Sequence, residues 1–348
     1  MKSVLAYAKK PVGAVMMRPV LKRLLELDGF RVHGSARLFG HVGGGRMFRD
    51  LGLEGIKLTP KWLARMLHYD LYLSADFIVS APRALKRVHF FHGVSFRNHG
   101  VHENALKYDL LLVVGPYMLR RFRETGLITE QNAHRFPVIG MPKLDDLVNG
   151  RYSREEVLSR LELDPGLPCV LYAPTWSKKV SSLEQEGEEL IDQLRKSGKN
   201  VIVKLHDNSL DARKAGRNWR GLLGSIQDPR FRFVESADVV PLMSAADLLV
   251  SDASSVANEF TLLDRPILFM EIEDLKSRLK PKADLDTWGR KAGEVVPSPS
   301  KLNAAIDAAL SDPGRQSEIR QALARDLFHD PGGATGRALS AILDLVPG

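Results

Sequence analysis

The chain has 348 residues, of which 44% are hydrophobic and 26% charged, with one cysteine and a formal net charge of +8. At about 150 residues per domain this is enough for two globular domains, and the composition excludes a disordered chain, a fibrous repeat and a disulfide-stapled mini-protein. The longest uncharged apolar stretch, residues 110–119, falls short of the ~18 residues needed to cross a bilayer, and Lys9 and Lys10 interrupt any signal-peptide core. A cytoplasmic location is therefore expected.

In chain order, the first half offers β-rich apolar runs at residues 3–6, 31–38, 71–74, 88–91, 110–114 and 135–139, with helical patterns at 15–27, 61–66 and 117–125. A turn-rich segment, 140–150, then precedes a helix at 153–161, where Ser153 with Glu156 forms a capping pair. In the second half, strands at 169–172, 201–205, 231–234, 248–251 and 266–270 alternate with helices at 183–196, 239–245 and 256–263, and three helical patterns follow at 304–310, 315–328 and 335–345. Alternation of this kind predicts an α/β protein with two doubly wound parallel sheets. The hinge is placed near 145–155, giving one domain over residues 1–150 and another over 151–348.

Charge divides at the same point. Residues 1–150 hold 23 Lys+Arg against 12 Asp+Glu, and residues 151–348 hold 27 against 30. A basic half attracts nucleic acid, anionic membrane or phosphorylated substrates through one non-specific field, so motifs must decide between them. Helix 15–27 places Met16, Met17, Val20, Leu24 and Leu27 on one face with Arg18, Lys22 and Arg23 around it. That pattern reads as core packing or as contact with anionic lipid headgroups. Cys169, inside the run Cys169-Val170-Leu171-Tyr172, reads as a buried strand thiol.

The segment from Leu248 to Phe260 runs from an apolar strand through Ser251-Asp252-Ala253-Ser254-Ser255 into a helix. Ser254, Ser255 and the first helix amides could receive a phosphate there, or Asp252 or Ser254 could simply cap the helix. Glu259 is either a ribose ligand or a solvated carboxylate. Two histidines end strand candidates directly, His92 after Phe90-Phe91 and His206 after Lys204-Leu205, and carboxyl ends of parallel strands are where open α/β sheets bind ligands. Weaker signals are the loop His41-Val42-Gly43-Gly44-Gly45-Arg46, without dinucleotide-binding spacing, and Asp284-Leu285-Asp286, which matches a metal-binding pair but reads better as a surface pair. No His/Cys/Asp cluster has metal-ligand spacing.

Five motifs stand in register: Phe91-His92-Gly93, Gly140-x-Pro142-Lys143-x-Asp145, Tyr172-Ala173-Pro174-Thr175-Trp176, Lys204-Leu205-His206, and Ser251-Asp252-x-Ser254-Ser255-Val256 followed by Leu262-Leu263-Asp264-Arg265-Pro266. With Asp330-x-Gly332-Gly333-Ala334-Thr335 near the end, they resemble the CDP-glycerol glycerophosphotransferase family, which builds teichoic-acid-type polymers. Val94-Ser95 stands where that family has Thr-Pro, Asp207 stands for Pro, and Arg97 alone represents a Lys-rich loop. The resemblance implies a GT-B architecture of two Rossmann-like domains, the first for the acceptor and the second for a nucleotide-linked donor. It further implies a CDP-linked donor, no separate cofactor, and an anionic or lipid-linked acceptor, with peripheral contact at the inner face of the membrane.

On that reading His92 deprotonates the acceptor hydroxyl, while His206, Asp252, Ser254, Ser255 and Glu259 hold the donor's pyrophosphate and ribose and the backbone at Pro174 and Thr175 meets the base. Related architectures include epimerases and glycosyltransferases using UDP- or CMP-linked sugars. A nucleic-acid-binding protein is the rival from another class, and the absence of a recognised module speaks against it.

Overall fold

Each half of the chain builds a parallel sheet of six strands, and in both the strand order reverses once. The computed structural model describes residues 1–36, 46–77, 83–94, 96–98, 100–211, 214–279 and 283–346; the glycine loop at 41–45 lies outside them. The first sheet comprises β1 (Lys2–Ala8), β2 (Phe30–Ala36), β3 (Lys57–Leu58), β4 (Tyr69–Ser74), β5 (Ala84–Phe90) and β6 (Leu110–Leu112), in the order β3-β2-β1-β4-β5-β6. The second comprises β7 (Cys169–Tyr172), β8 (Asn200–Val203), β9 (Phe231–Phe233), β10 (Leu248–Ser251), β11 (Ile267–Met270) and β12 (Glu294–Val296), in the order β12-β11-β10-β7-β8-β9. Read from β9, this is the same topology as the first.

The strands read as unbroken apolar runs because helices cover both faces of a parallel sheet. Every residue of β7 is buried, Cys169 included, and burial pushes that thiol up to about 12. It is the inert strand cysteine expected. The second core gathers Val170, Tyr172, Leu190, Leu194, Val203, Trp219, Val250 and Met270. In the first unit, helix Pro11–Glu26 buries Met16, Met17, Val20 and Leu24. Its apolar face is therefore core, so the lipid reading of that face does not hold; Lys22 and Arg23 remain at the surface.

The expected strand at 135–139 is absent. Ala133–Arg135 forms a 3-10 turn and Val138 makes an isolated bridge to Val113, because Pro137 has no N–H to contribute to a ladder. Short β3 and β12 and the helix Trp219–Gly224 carry too few residues for a periodic signal and were not anticipated.

Two compact units result. One is Met1–Val94 with His99–Asn149 and Arg325–Gly348; the other is Ser95–Asn98 with Gly150–Ala324. The break at residue 149 matches the expected hinge, but the division at 151–348 needs two corrections. The final helix, Ala334–Leu345, packs with the first unit, and residues 96–98 pack with the second. The return of the chain into the first unit is tight. His329 N donates to Val114 O at 3.0 Å, and a Cβ on Gly115 would stand 2.1 Å from Leu327 O. Gly140, at φ +91, would place a Cβ 2.6 Å from His329 O, so these two glycines let the last segment lie against the loops after β6.

Candidate functional site

In the second unit the order reverses between β7 and β10, and ligands of open α/β sheets bind outside the carboxyl ends of strands at such a reversal. Two loops leave these strands there. Asp252, fully buried at the end of β10, accepts from Thr175 N at 2.7 Å through one oxygen, and from Ser182 N and Ser182 Oγ at 2.9 Å each through the other. Burial pushes its carboxyl up to about 6 against the pull of these donors. Asp252 was expected to touch the ligand. Instead it clamps the loop 173–181 onto β10, assisted by Ser251 Oγ donating to Ala173 O and Ser181 Oγ donating to Thr175 O.

Pro174 and Thr175 are buried within that loop, and Trp176 beside them is 39% exposed. Ser254 is the N-cap of helix Ser255–Phe260 and accepts from Val256 N at 3.4 Å, which realises the capping alternative. Ser254 and Ser255 both keep partial solvent access, whereas Glu259 is 1% exposed and so is not the solvated carboxylate of the competing reading.

His206 follows β8, adjacent to β7. Its Nδ1 accepts from Asn208 N at 3.0 Å, so in the neutral ring the proton sits on Nε2. The ring lies against Trp176 with centroids 5.8 Å apart.

The first unit has the equivalent reversal between β1 and β4, and β5 lies next to β4. Gathered at this carboxyl edge are Lys9 and Lys10 after β1, Ala75 and Asp76 after β4, and His92 after β5. Lys9 N donates to Asp76 Oδ2 at 2.7 Å. His92 Nδ1 lies 3.1 Å from Ala75 O. A carbonyl can only accept, so Nδ1 carries the proton and Nε2 presents a lone pair. The imidazole's pKa is lowered, first by displacement of water from around it, with Asp76 opposing and Lys143 and Lys10 assisting. The residue nevertheless keeps solvent access at that edge. The two histidines thus hold opposite tautomers, with the lone pair on Nε2 in one unit and the proton on Nε2 in the other.

The remaining motifs are structural. Asp145 accepts from Ala334 N at 3.0 Å and Thr335 N at 2.7 Å, capping the last helix. Two motifs far apart in sequence, Gly140–Asp145 and Asp330–Thr335, are therefore one joint, completed by Arg337 Nε donating to Ile139 O and Asn149 Nδ2 to Gly332 O. Asp264, at φ +50, accepts from Ser317 Oγ, Arg320 Nε and Gln321 Nε2, which pins helix Ser317–Leu327. Asp284 accepts from Thr287 N across a turn, the local role expected of a surface pair. Among the described residues no group of three His, Cys, Asp or Glu side chains could hold a metal ion, and no helix is long and apolar enough to cross a membrane.

Sequence reasoning missed Asp76 and Ala75, which carry no motif. Lys143 belongs to a visible motif, but its charge on His92 comes from the fold and not from spacing.

Residues 83–344 match the family of CDP-glycerol:poly(glycerophosphate) glycerophosphotransferases. The chain belongs to this family. A teichoic acid glycerol-phosphate primase of Bacillus spizizenii is 27% identical over 249 residues, covering 68% of this chain and 58% of the primase. The chain thus spans little more than half the length of that relative. Among solved structures, a variant of the wall teichoic acid polymerase TagF superimposes with a TM-score of 0.70 at 16% identity, covering 99% of this chain and 89% of that one. A UDP-N-acetylglucosamine 2-epimerase described as putative, from Listeria monocytogenes, superimposes with a TM-score of 0.62 at 15% identity, covering 99% and 96%. The family member therefore has the two-unit architecture of GT-B proteins.

Proposed function

We propose that this protein transfers glycerol phosphate from a CDP-linked donor to a hydroxyl of an anionic, polymer- or lipid-linked acceptor in cell-envelope polymer synthesis, on the cytoplasmic side of the membrane. The observation that carries the reading is the pair of opposite tautomers at carboxyl ends of strands beside the two reversals. In the first unit, His92 Nε2 takes the acceptor's hydroxyl proton, and the Ala75 carbonyl steadies the imidazolium that forms. The acceptor oxygen bonds to the phosphorus that bears glycerol, and the bond from that phosphorus to the CMP oxygen breaks. CMP leaves with the electron pair.

In the second unit, His206 Nε2–H donates to the pyrophosphate, joined by Ser254, Ser255 and the amides they precede, with Glu259 toward the ribose. Asp252 keeps the loop of Pro174 and Thr175 in place for the base. Catalysis on this scheme is positioning plus charge stabilisation, and the protein supplies no cofactor of its own. Lys10 and Lys143, whose charges act on His92, give the first unit a cationic field suited to a phosphorylated acceptor. Helix Pro11–Glu26 could offer a membrane only its surface cations, since its apolar face is buried.

His92→Ala tests the scheme. CMP release from CDP-glycerol is expected to fall by about 10²-fold or more, while CDP affinity measured by calorimetry stays within about twofold. Turnover within a few-fold of the unaltered protein would make His92 structural.

A further inference from the structure

Arg97, alone where the family resemblance implies a Lys-rich loop, has no role in the proposed function. Its placement is specific. The chain on either side, residues 83–94 and 100–149, folds with the first unit, yet residues 96–98 fold with the second. Phe96 anchors them there: its side chain packs with Val180, Ala253, Ile272 and Leu275, and its carbonyl accepts from Asp284 N at 2.7 Å. This holds Arg97 against the loop that leaves β7, where Nη1 donates to Thr175 Oγ1 at 3.0 Å. Thr175 is the residue whose N–H Asp252 holds, so the guanidinium stands at the reversal between β7 and β10.

We infer that Arg97 is a direct ligand of the donor's pyrophosphate in the second unit, its main partner being the phosphate beyond the first. The inference rests on the proposed CDP-linked donor. Asp252 faces Arg97 and favours its charge, while partial burial lowers the guanidinium's pKa. Both Asp252 oxygens already serve three donors of the loop. A guanidinium that hydrogen-bonds the loop leaving β7 at a ligand-binding reversal is placed to meet an incoming anion. A guanidinium fork suits a phosphate, contributing charge and two parallel hydrogen bonds. The competing role is structural, with Arg97 merely bracing Thr175.

Arg97→Gln separates the two roles, because its amide can still donate to Thr175 Oγ1 but carries no charge. Cytidine, CMP and CDP are titrated into the unaltered protein and into Arg97→Gln, with circular dichroism and thermal unfolding as the check on folding. A phosphate ligand predicts a graded loss: about tenfold or more for CDP, less for CMP, and cytidine within about twofold. Arg97→Lys, which keeps the charge and loses the fork, falls between. An equal loss for all three ligands, or no loss for any, overturns the assignment and leaves Arg97 as a brace. If Arg97→Gln does not fold, the same grading read in Arg97→Lys decides. Failure of the unaltered protein to bind any of the three overturns the donor reading itself, an outcome distinct from normal CDP binding by both proteins.

Discussion

Asp252 meets three donors with two oxygens while buried completely, so its substitution reads both the clamp and its titration. In Asp252→Asn, an amide group faces at least one N–H donor, and the loop 173–181 loses a partner at a cost of about 1–3 kcal/mol. The pH dependence has a definite sign. A carboxyl raised from 3.8 to about 6 binds its proton more tightly in the folded state, so its contribution is fully present below about pH 4 and is lost as pH rises through 6. The deficit of Asp252→Asn, measured by urea unfolding, is therefore expected to be about 1 kcal/mol larger at pH 5 than at pH 7. A larger deficit at pH 7 would show that the three donors outweigh burial. At this scale the sequence located His92 and His206 because strand-end histidines are visible in a pattern. Their tautomers were not visible, since Ala75 and Asn208 set them through contacts no spacing encodes.

At the scale of elements, β5 carries a liability of its own. His89 is fully buried, its ring stacks on Phe77 at 4.5 Å, and its Nδ1 has no hydrogen-bond partner among the described residues. Desolvation, with the charge of His92 assisting, lowers its pKa to about 3. Such a group contributes stability above pH 6.5 that is lost as pH falls toward 3, a loss of about 2 kcal/mol by pH 5. His89→Phe keeps the stack and removes the proton site. Chemical unfolding at pH 7.5 and 5 should show the variant losing that much less stability than the unaltered protein, and parallel curves would refute the assignment. The joint at Asp145 gives a second prediction. Asp145→Ala leaves the N–H groups of Ala334 and Thr335 without their acceptor, a loss of about 1–2 kcal/mol. Hydrogen exchange should accelerate in Ala334–Leu345 while CDP affinity, which the proposed function assigns to the second unit, is unchanged; unaltered exchange would contradict the joint. Strands such as Cys169–Tyr172 and Leu248–Ser251 were legible residue for residue because buried parallel strands are continuous apolar runs. The segment around Pro137 misled for the same reason: its apolar residues look like a strand, but proline withholds a donor.

For the whole molecule, one topology built twice explains why motifs recur at strand ends in both halves. Local patterns gave the two sheets and the break near residue 149. They could not reveal that the last helix returns to the first unit, because that return depends on Asp145, Gly140 and Arg337, residues that look like turn and helix punctuation when read alone. The excess of Lys and Arg over residues 1–150 now has a local counterpart in Lys10 and Lys143 acting on His92. The most direct test of the account is product analysis with purified protein, a glycerol-phosphate-primed lipid acceptor, and either CDP-glycerol or UDP-N-acetylglucosamine. The account predicts acceptor-dependent release of CMP in equal amount to the glycerol phosphate transferred, and no change in the UDP-sugar. Conversion of the UDP-sugar, with no CMP released from CDP-glycerol, would contradict it.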